Sequence, residues 1–109
     1  MTEAEIPIEP TRGTMTPPLL SVVVPVLNEQ DNIRPLVTEI ITALDGICHF
    51  EIVYVDDGST DGTRNTLLRM AETEPRLRLI IHDKCAGQSA GLRTGVMAAR
   101  GDLITTLDG

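Results

Sequence analysis

The chain has 109 residues, enough for one domain with one hydrophobic core, and this length excludes a site in a cleft between two domains. Apolar residues make up 41% and charged residues 23% of the chain, a composition typical of a globular domain that folds in water. The formal charge is −7, and one Phe and one Tyr are the only aromatic residues. Because nucleic-acid binding needs a basic surface or several stacking faces, we expect no nucleic-acid partner.

Cysteine usage and the first residues bear on the compartment. Two cysteines, Cys48 and Cys85, are too few for a disulfide framework, and they lack the paired spacing of a zinc site. We therefore expect reduced thiols in a cytoplasmic protein. The first ten residues carry acids where a signal peptide carries bases, and the longest apolar stretch, 19–27, is too short to cross a bilayer. Membrane association is therefore expected to be peripheral at most, at the inner face in a full-length protein.

A leader and four strands are predicted in chain order. Residues 1–18 hold four of the seven prolines together with acids and threonines, which predicts a disordered leader before a domain that fills 19–109. Short apolar runs rich in β-branched residues then recur along the chain, as is typical of buried parallel strands. These predicted strands are 20–26, 50–56, 77–81 and 103–108.

A helix is predicted between the first two strands. Apolar residues from Ile33 to Leu44 recur at the spacing of one helical face, and Gly46 is expected to end the helix. With Asp31 or Asn32 as the N-cap, Pro35 would lie in the first turn, where backbone N–H groups have no partner in the helix.

Two further helices complete the pattern. The second is predicted to open at the polar cluster 59–61 and to end near Glu72, and the third to run from Gln88 to Arg100. Strands and helices then alternate as βαβαβαβ, which requires a parallel sheet with right-handed crossovers. The predicted fold class is α/β, a partial doubly wound parallel sheet.

Carboxylates follow three of the predicted strands. In such a sheet ligands bind beyond the carboxyl ends of the strands, and the acids at that edge are Glu29, Asp56, Asp57 and Asp108. Four carboxylates at one edge repel each other unless a cation or hydrogen-bond donors offset their charge, so a divalent metal ion is the natural expectation.

Several of the polar residues have a structural explanation as well. Asn28, Ser59 and Asp61 are equally consistent with helix caps, whereas the adjacent acids Asp56 and Asp57 are harder to explain by structure alone. An EF-hand loop starting at Asp57 is rejected because Leu68 occupies the position of its essential Glu. The glycine-rich fingerprints of P-loop and dinucleotide-binding proteins do not occur.

The third helix carries glycines at every fourth position, Gly87, Gly91 and Gly95. This stripe predicts a helix that lies close to the sheet, and its N-terminus could in addition face a ligand phosphate. His49 and His82 are interpreted as surface or strand-end residues.

Three sequence blocks, in this order, resemble a known family: SVVVPVLNEQDNI, EIVYVDDGSTDGT and KCAGQSAGLRTGVMAARGDLITTLDG. Residues 20–109 resemble the N-terminal, nucleotide-binding half of family-2, GT-A fold glycosyltransferases, especially the polyprenyl-phosphate (dolichyl-phosphate mannose synthase-like) branch. The resemblance implies the sheet order 3-2-1-4. It also implies transfer of a sugar from a nucleoside-diphosphate sugar to an acceptor such as a polyprenyl phosphate.

The resemblance implies roles for individual residues at the nucleoside. Pro25, Asn28 and Glu29 belong to the loop that lines the nucleotide pocket, with Glu29 near the ribose or base. Asp57 would accept a hydrogen bond from a base N–H, and Asp56 would support the loop.

Further roles are implied at the diphosphate. Gly87 and Arg93 would lie near it, and Asp108 matches the first acid of the DxD motif, whose carboxylates hold Mn²⁺ or Mg²⁺. The sequence stops at Gly109, inside that motif, so we expect this chain to be inactive alone. We also expect a homo-oligomer joined through the edge 103–108.

Two other classes of function are weighed against the transferase. A receiver-like, Mg²⁺-binding signalling domain has a similar length and an acid pair, but its pair belongs to the first strand, whereas Asp56 and Asp57 follow the second. The third hypothesis is a truncated protein whose only role is packing or oligomerisation.

Overall fold

The computed structural model describes residues 19–108, so the predicted leader 1–18 lies outside the described residues. Seven elements alternate along the chain, as predicted. They are β1 (Leu19–Val26), α1 (Gln30–Leu44), β2 (His49–Asp56), α2 (Thr63–Thr73), β3 (Leu77–Ile81), α3 (Gln88–Ala98) and β4 (Leu103–Thr106).

The strands form one parallel sheet in the order β3-β2-β1-β4, which confirms the expected topology. Val26 pairs with Asp56, and Asp56 pairs with Ile81, so three strands end level with one another. The loops after these strands therefore meet at one edge of the sheet, where ligands bind in doubly wound folds.

Helices cover both faces of the sheet. On one face α1 and α2 pack on a core of aliphatic side chains from β1 and β2, with Tyr54 and Ile52 fully buried. On the other face α3 packs against β1 and β2. This two-sided cover explains why β1 and β2 are buried along most of their length. Within the described residues, no helix is both long and apolar enough to cross a membrane.

The starts of two helices differ from the prediction. α1 begins at Gln30 instead of after Asp31 or Asn32, because the Glu29 carbonyl already accepts a bond from the Asn32 N–H (3.0 Å). Pro35 is consequently the sixth helical residue and lies beyond the first turn.

α2 begins at Thr63 and not at the polar cluster 59–61. The reason is local: the Asp61 carboxylate accepts bonds from the Thr63 backbone N–H (2.9 Å) and hydroxyl (2.6 Å), which forms a turn before the helix. The residues at both N-cap positions, Glu29 and Gly62, make no capping side-chain bond.

The third helix ends at Ala98, two residues earlier than predicted, because a buried carboxylate captures the chain that follows. Glu51 accepts bonds from the Arg100 backbone N–H (2.7 Å), the Ser21 hydroxyl (2.6 Å) and Arg78 (2.8 Å). Burial raises the pKa of Glu51, but these hydrogen bonds outweigh burial and hold the pKa below its usual value. The carboxylate therefore stays ionised and fixes the turn into β4.

Two of the three glycines in the stripe, Gly91 and Gly95, have the predicted packing role, whereas Gly87 precedes α3 and has nothing within 4 Å of its side-chain position. A Cβ at Gly95 would overlap the Val23 side chain, and one at Gly91 would lie 3.1 Å from Cβ of Pro25. The absence of side chains at these two positions lets α3 approach the sheet closely.

Replacing Gly95 by Ala is expected to destabilise the fold. Overpacking onto Val23 lowers the free energy of unfolding by about 1–3 kcal/mol, whereas the higher helix propensity of Ala raises it by at most about 1 kcal/mol. Urea unfolding measures the difference, with Met97→Ala on the exposed side of α3 as the control, since Met97 is 81% exposed. Equal stability of the two variants would contradict close packing at Gly95.

Candidate functional site

A pocket of about 280 Å³ opens at the carboxyl edge of the sheet. It is lined by residues from the end of β1 and the loop after it, from the loop after β2, and from the loop before α3 and its first residue: Pro25, Val26, Leu27, Glu29, Asp57, Cys85, Gly87 and Gln88. The structure thus brings together four of the eight residues singled out from the sequence. A larger cavity of about 480 Å³, between Leu19 and Arg76 at the opposite end of the sheet, contains none of them.

The Asp57 carboxylate is the centre of this edge. Its Oδ1 accepts bonds from the Ala86 backbone N–H (2.9 Å) and the His82 ring (2.9 Å). Its Oδ2 accepts bonds from the Gly87 backbone N–H (2.8 Å) and the Cys85 thiol (3.3 Å). A carboxylate offers about four lone-pair sites, so Asp57 has a partner for each of them.

These donors keep Asp57 ionised. Burial raises the pKa of Asp57, but the bonds from Ala86, His82, Gly87 and Cys85 outweigh it and lower the pKa to about 2. The backbone N–H of Asp57 also donates to the Val26 carbonyl (2.9 Å), which ties the residue to β1. A fixed negative charge therefore lies in the pocket at neutral pH.

Asp56 and Asn28 lie at the same edge but brace the loop 58–62. Asp56 is fully buried and accepts bonds from the Ser59 backbone N–H (2.9 Å) and from Arg64 (2.9 Å). The Asn28 side-chain oxygen accepts bonds from the backbone N–H groups of Thr60 (2.8 Å) and Asp61 (3.3 Å). Asn28 has a positive φ of 54°, which Asn tolerates better than most residues.

Asp108 and Arg93 do not line the pocket. Asp108 is exposed and accepts a bond from the Gln88 side-chain amide (2.8 Å), and Gln88 itself lines the pocket, so this acid lies next to it. Arg93 is exposed on α3.

The expected joint metal site of four carboxylates does not form. Residues 19–108 contain no group of three or more His, Cys, Asp or Glu side chains close enough to hold a metal ion. The charge of Asp56 is offset instead by the Arg64 guanidinium and an N–H donor, and that of Asp57 by N–H and S–H donors, so neither requires a metal ion.

His82 is a residue of this site that sequence reasoning assigned to the surface or a strand end. It does follow β3 directly, but its side chain is only 19% exposed and bonds both Asp57 and Thr94. Its place after β3, beside the strand that carries the acid pair, was the signal available in the sequence.

Comparison with known proteins shows the family. The sequence model of glycosyl transferase family 2 matches residues 21–109, and the chain belongs to this family. It is 39% identical over 107 residues to a dodecaprenyl-phosphate galacturonate synthase of Rhizobium johnstonii, covering 94% of this chain and 32% of that protein. An undecaprenyl-phosphate 4-deoxy-4-formamido-L-arabinose transferase of Edwardsiella ictaluri is 39% identical over 92 residues, and the match covers 82% of this chain and 28% of that protein.

Solved structures share the fold. A mannosyltransferase of Pyrobaculum calidifontis, PcManGT, in complex with GDP-Man and Mn²⁺, has a TM-score of 0.76 and 32% identity, over 84% of this chain and 27% of that one. S. aureus TarS 1–349 in complex with UDP has a TM-score of 0.72 and 24% identity, and the match covers 86% of this chain and 27% of that one. At this level of identity the similarity shows the fold alone. The chain spans about a third of the length of the curated relatives it matches. Family membership excludes the receiver-like reading.

Replacing Asp57 by Asn is expected to destabilise the fold by about 2 kcal/mol, because an amide cannot accept all four bonds. The folded-state pKa is lowered, so the contribution of the Asp57 charge is complete above about pH 5 and is lost as the pH falls toward 2. Urea unfolding at pH 7, 4 and 3 therefore shows a shrinking gap between wild type and Asp57→Asn. Asp83→Asn, an exposed change in the same loop, is the control. A gap that does not change with pH counts against an ionised, bonded Asp57.

Proposed function

We propose that this chain is the donor-binding part of a glycosyltransferase that moves a sugar from a nucleoside diphosphate to a polyprenyl-phosphate acceptor. The observation that carries the proposal is the pocket lined by Pro25, Glu29, Asp57 and Gly87, four residues that the sequence motifs single out and that come from three separate segments of the chain. The Rhizobium and Edwardsiella relatives, whose names specify dodecaprenyl and undecaprenyl phosphate, support the acceptor class.

The Asp57 carboxylate is the proposed acceptor for the N–H of the base. All four of its lone-pair sites have a donor, so a base N–H must displace one of them. The Cys85 thiol is the weakest of the four donors and the longest contact, at 3.3 Å. Cys85 is exposed in the pocket, so its thiol can turn away while the two backbone N–H bonds remain.

The diphosphate is proposed to lie toward the N-terminus of α3. Gly87 has φ +98° and nothing within 4 Å of its side-chain position, so the backbone there is open to a ligand. Helix N-termini favour anions, and Arg93 on the same helix adds a positive charge that is free to turn in solvent. Glu29 also lines the pocket, and its proposed partner is the ribose or the base.

A divalent ion, Mn²⁺ or Mg²⁺, would neutralise the charge that develops on the departing diphosphate. Asp108 fits as one ligand, because it is an exposed carboxylate beside the pocket and such ions are often held by one or two carboxylates together with substrate phosphates. The Mn²⁺ in the PcManGT complex supports a divalent metal. Peripheral contact of the whole protein with the inner face of a membrane would bring this edge to a lipid-linked acceptor.

Alkylation of the two cysteines tests the nucleotide pocket. UDP or GDP with Mn²⁺ is expected to change the rate at which Cys85 reacts with iodoacetamide, because Cys85 lines the proposed site and its thiol leaves Asp57 when the base binds. Cys48 lies at the other end of the sheet, beside the larger cavity, and is the internal control. Mass spectrometry of the digested protein reports both rates. Equal Cys85 rates with and without either nucleotide would contradict the proposal.

Self-association through β4 is a second proposed property. β4 pairs only with β1 among the described strands, and Leu103 and Ile104 on it are 59% and 43% exposed. Residues 103–107 contain no charge and no proline to block pairing with another strand, so two copies could join antiparallel about a two-fold axis.

Light scattering of the polypeptide 1–109 at increasing concentration is expected to show a dimer or larger species. Ile104→Lys should shift it toward monomer, because a charge on an edge strand opposes pairing. Met97→Lys, at an exposed position of α3, should leave the association unchanged. A wild-type monomer at every concentration would exclude association through this edge.

A further inference from the structure

We infer that His82 is the positioning residue for the Asp57 carboxylate, and that Thr94 on α3 fixes the His82 ring for this task. The inference rests on the proposed nucleotide site and deepens it. It assigns a role to two residues that the sequence motifs did not single out. Neither of them lines the pocket, so their effect on a nucleotide would pass through Asp57.

Both the backbone and the ring of His82 are held. Its backbone N–H donates to the Asp56 carbonyl (2.9 Å), which extends the pairing of β2 and β3 by one residue. Its ring lies between Asp57 and Thr94, with Nδ1 2.9 Å from Asp57 Oδ1 and Nε2 2.8 Å from Thr94 Oγ1. The side chain is largely shielded from solvent. The ring therefore has one well-defined orientation.

The chemistry of the partners sets the direction of each bond. An ionised carboxylate only accepts, so Nδ1 of His82 carries the proton and donates to Asp57. In the neutral ring Nε2 is then an acceptor, and it accepts a hydrogen bond from the Thr94 hydroxyl. The Asp57 carboxylate thus selects the tautomer, and the Thr94 hydroxyl orients the ring by a second hydrogen bond, as is common for histidines in metal and catalytic sites.

The geometry explains why this side chain matters to a ligand. Backbone N–H groups of Ala86 and Gly87 also hold Asp57, but they belong to the exposed loop 83–87. His82 connects the carboxylate instead to the ends of β2 and β3 and to the body of α3. The carboxylate therefore keeps its direction in the pocket while the Cys85 thiol exchanges for a base N–H.

Two isosteric replacements separate positioning from simple packing. The amide nitrogen of Asn lies where Nδ1 of His lies, so His82→Asn keeps the donor to Asp57. The amide of Gln reaches the Nε2 position near Thr94, so His82→Gln loses that donor. Thr94→Val removes the hydroxyl at constant shape, and Thr94→Ser restores it.

The binding experiment uses polypeptide 1–109 with Mn²⁺ and whichever of UDP and GDP binds more tightly by calorimetry. The same nucleotide methylated at the ring N–H (3-methyl-UDP or 1-methyl-GDP) is the second ligand. Wild type and Thr94→Ser are expected to prefer the unmethylated nucleotide by about tenfold or more, the value of a hydrogen bond to a charged group. His82→Asn and Thr94→Val each keep the donor to Asp57 but lose the bond between residues 82 and 94, so they are expected to keep part of this preference. His82→Gln is expected to lose most of it.

The outcomes distinguish the inference from the function on which it rests. A wild-type protein that does not prefer the unmethylated nucleotide contradicts base recognition by Asp57, and with it the proposed function. A wild-type preference that His82→Gln retains in full overturns the positioning role and leaves the proposed function standing. Melting temperatures measured alongside show whether a variant is unfolded. Loss of packing alone would affect the Asn and Gln variants alike, whereas loss of the donor to Asp57 affects only the Gln variant.

A measurement without nucleotide tests the same inference independently. The carboxyl carbon of Asp57, assigned in NMR spectra by its absence in Asp57→Asn, should titrate with the low pKa of about 2 in wild type and in His82→Asn. In His82→Gln this pKa should rise, because one donor to the ionised form is gone. An unchanged titration in His82→Gln would overturn the inference.

Discussion

Two buried carboxylates that extend from the β2 segment toward α3 hold this helix at both ends, and the site depends on that attachment. Asp57 binds the backbone N–H groups of Ala86 and Gly87 just before α3, and Glu51 binds the backbone N–H of Arg100 just after it. Both acids have pKa values below their usual range, because hydrogen bonds outweigh the effect of burial. Each converts a costly buried charge into a fixed point for the main chain.

The attachment at the two ends works together with close packing in the middle. Gly91 and Gly95 bring the helix axis against Pro25, Val23 and Val55, so α3 has little freedom to tilt or slide. As a result, the start of α3 lies beside the loop after β1, and the gap between them is the pocket. A helix held only at its centre would leave the width of that pocket undefined.

The same arrangement suits the nucleotide site proposed for this member of glycosyl transferase family 2. One fixed acceptor, Asp57, lies in a pocket whose other polar groups, Glu29 and Gln88, come from separate elements. The bracing of the loop 58–62 by Asp56 and Asn28 adds rigidity without occupying the pocket. Preorganisation of this kind reduces the ordering cost of binding, which matters for a ligand that is recognised by few contacts.

The sequence by itself determined the alternation of strands and helices, the pocket-forming loops and the close approach of α3, because apolar periodicity and glycine spacing are local signals. The sheet order followed from resemblance to the family and is confirmed. Only the tertiary structure decided the starts of α1 and α2, the partners of Asp56 and Asp57, and the role of His82. The partners of Asp57 and the role of His82 depend on hydrogen bonds between residues 25 or more positions apart, such as His82 with Asp57, which no local pattern encodes. The starts of α1 and α2 and the partners of Asp56 depend on short-range bonds, such as Asn32 with Glu29 and Thr63 with Asp61, and several neighbouring polar groups compete for these bonds until the chain is folded. The acids at the carboxyl edge were predicted to need a cation or hydrogen-bond donors to offset their charge. In the folded chain Arg64 does this for Asp56, and N–H donors of Ala86 and Gly87 do it for Asp57, because only the fold brings the loop before α3 to that carboxylate.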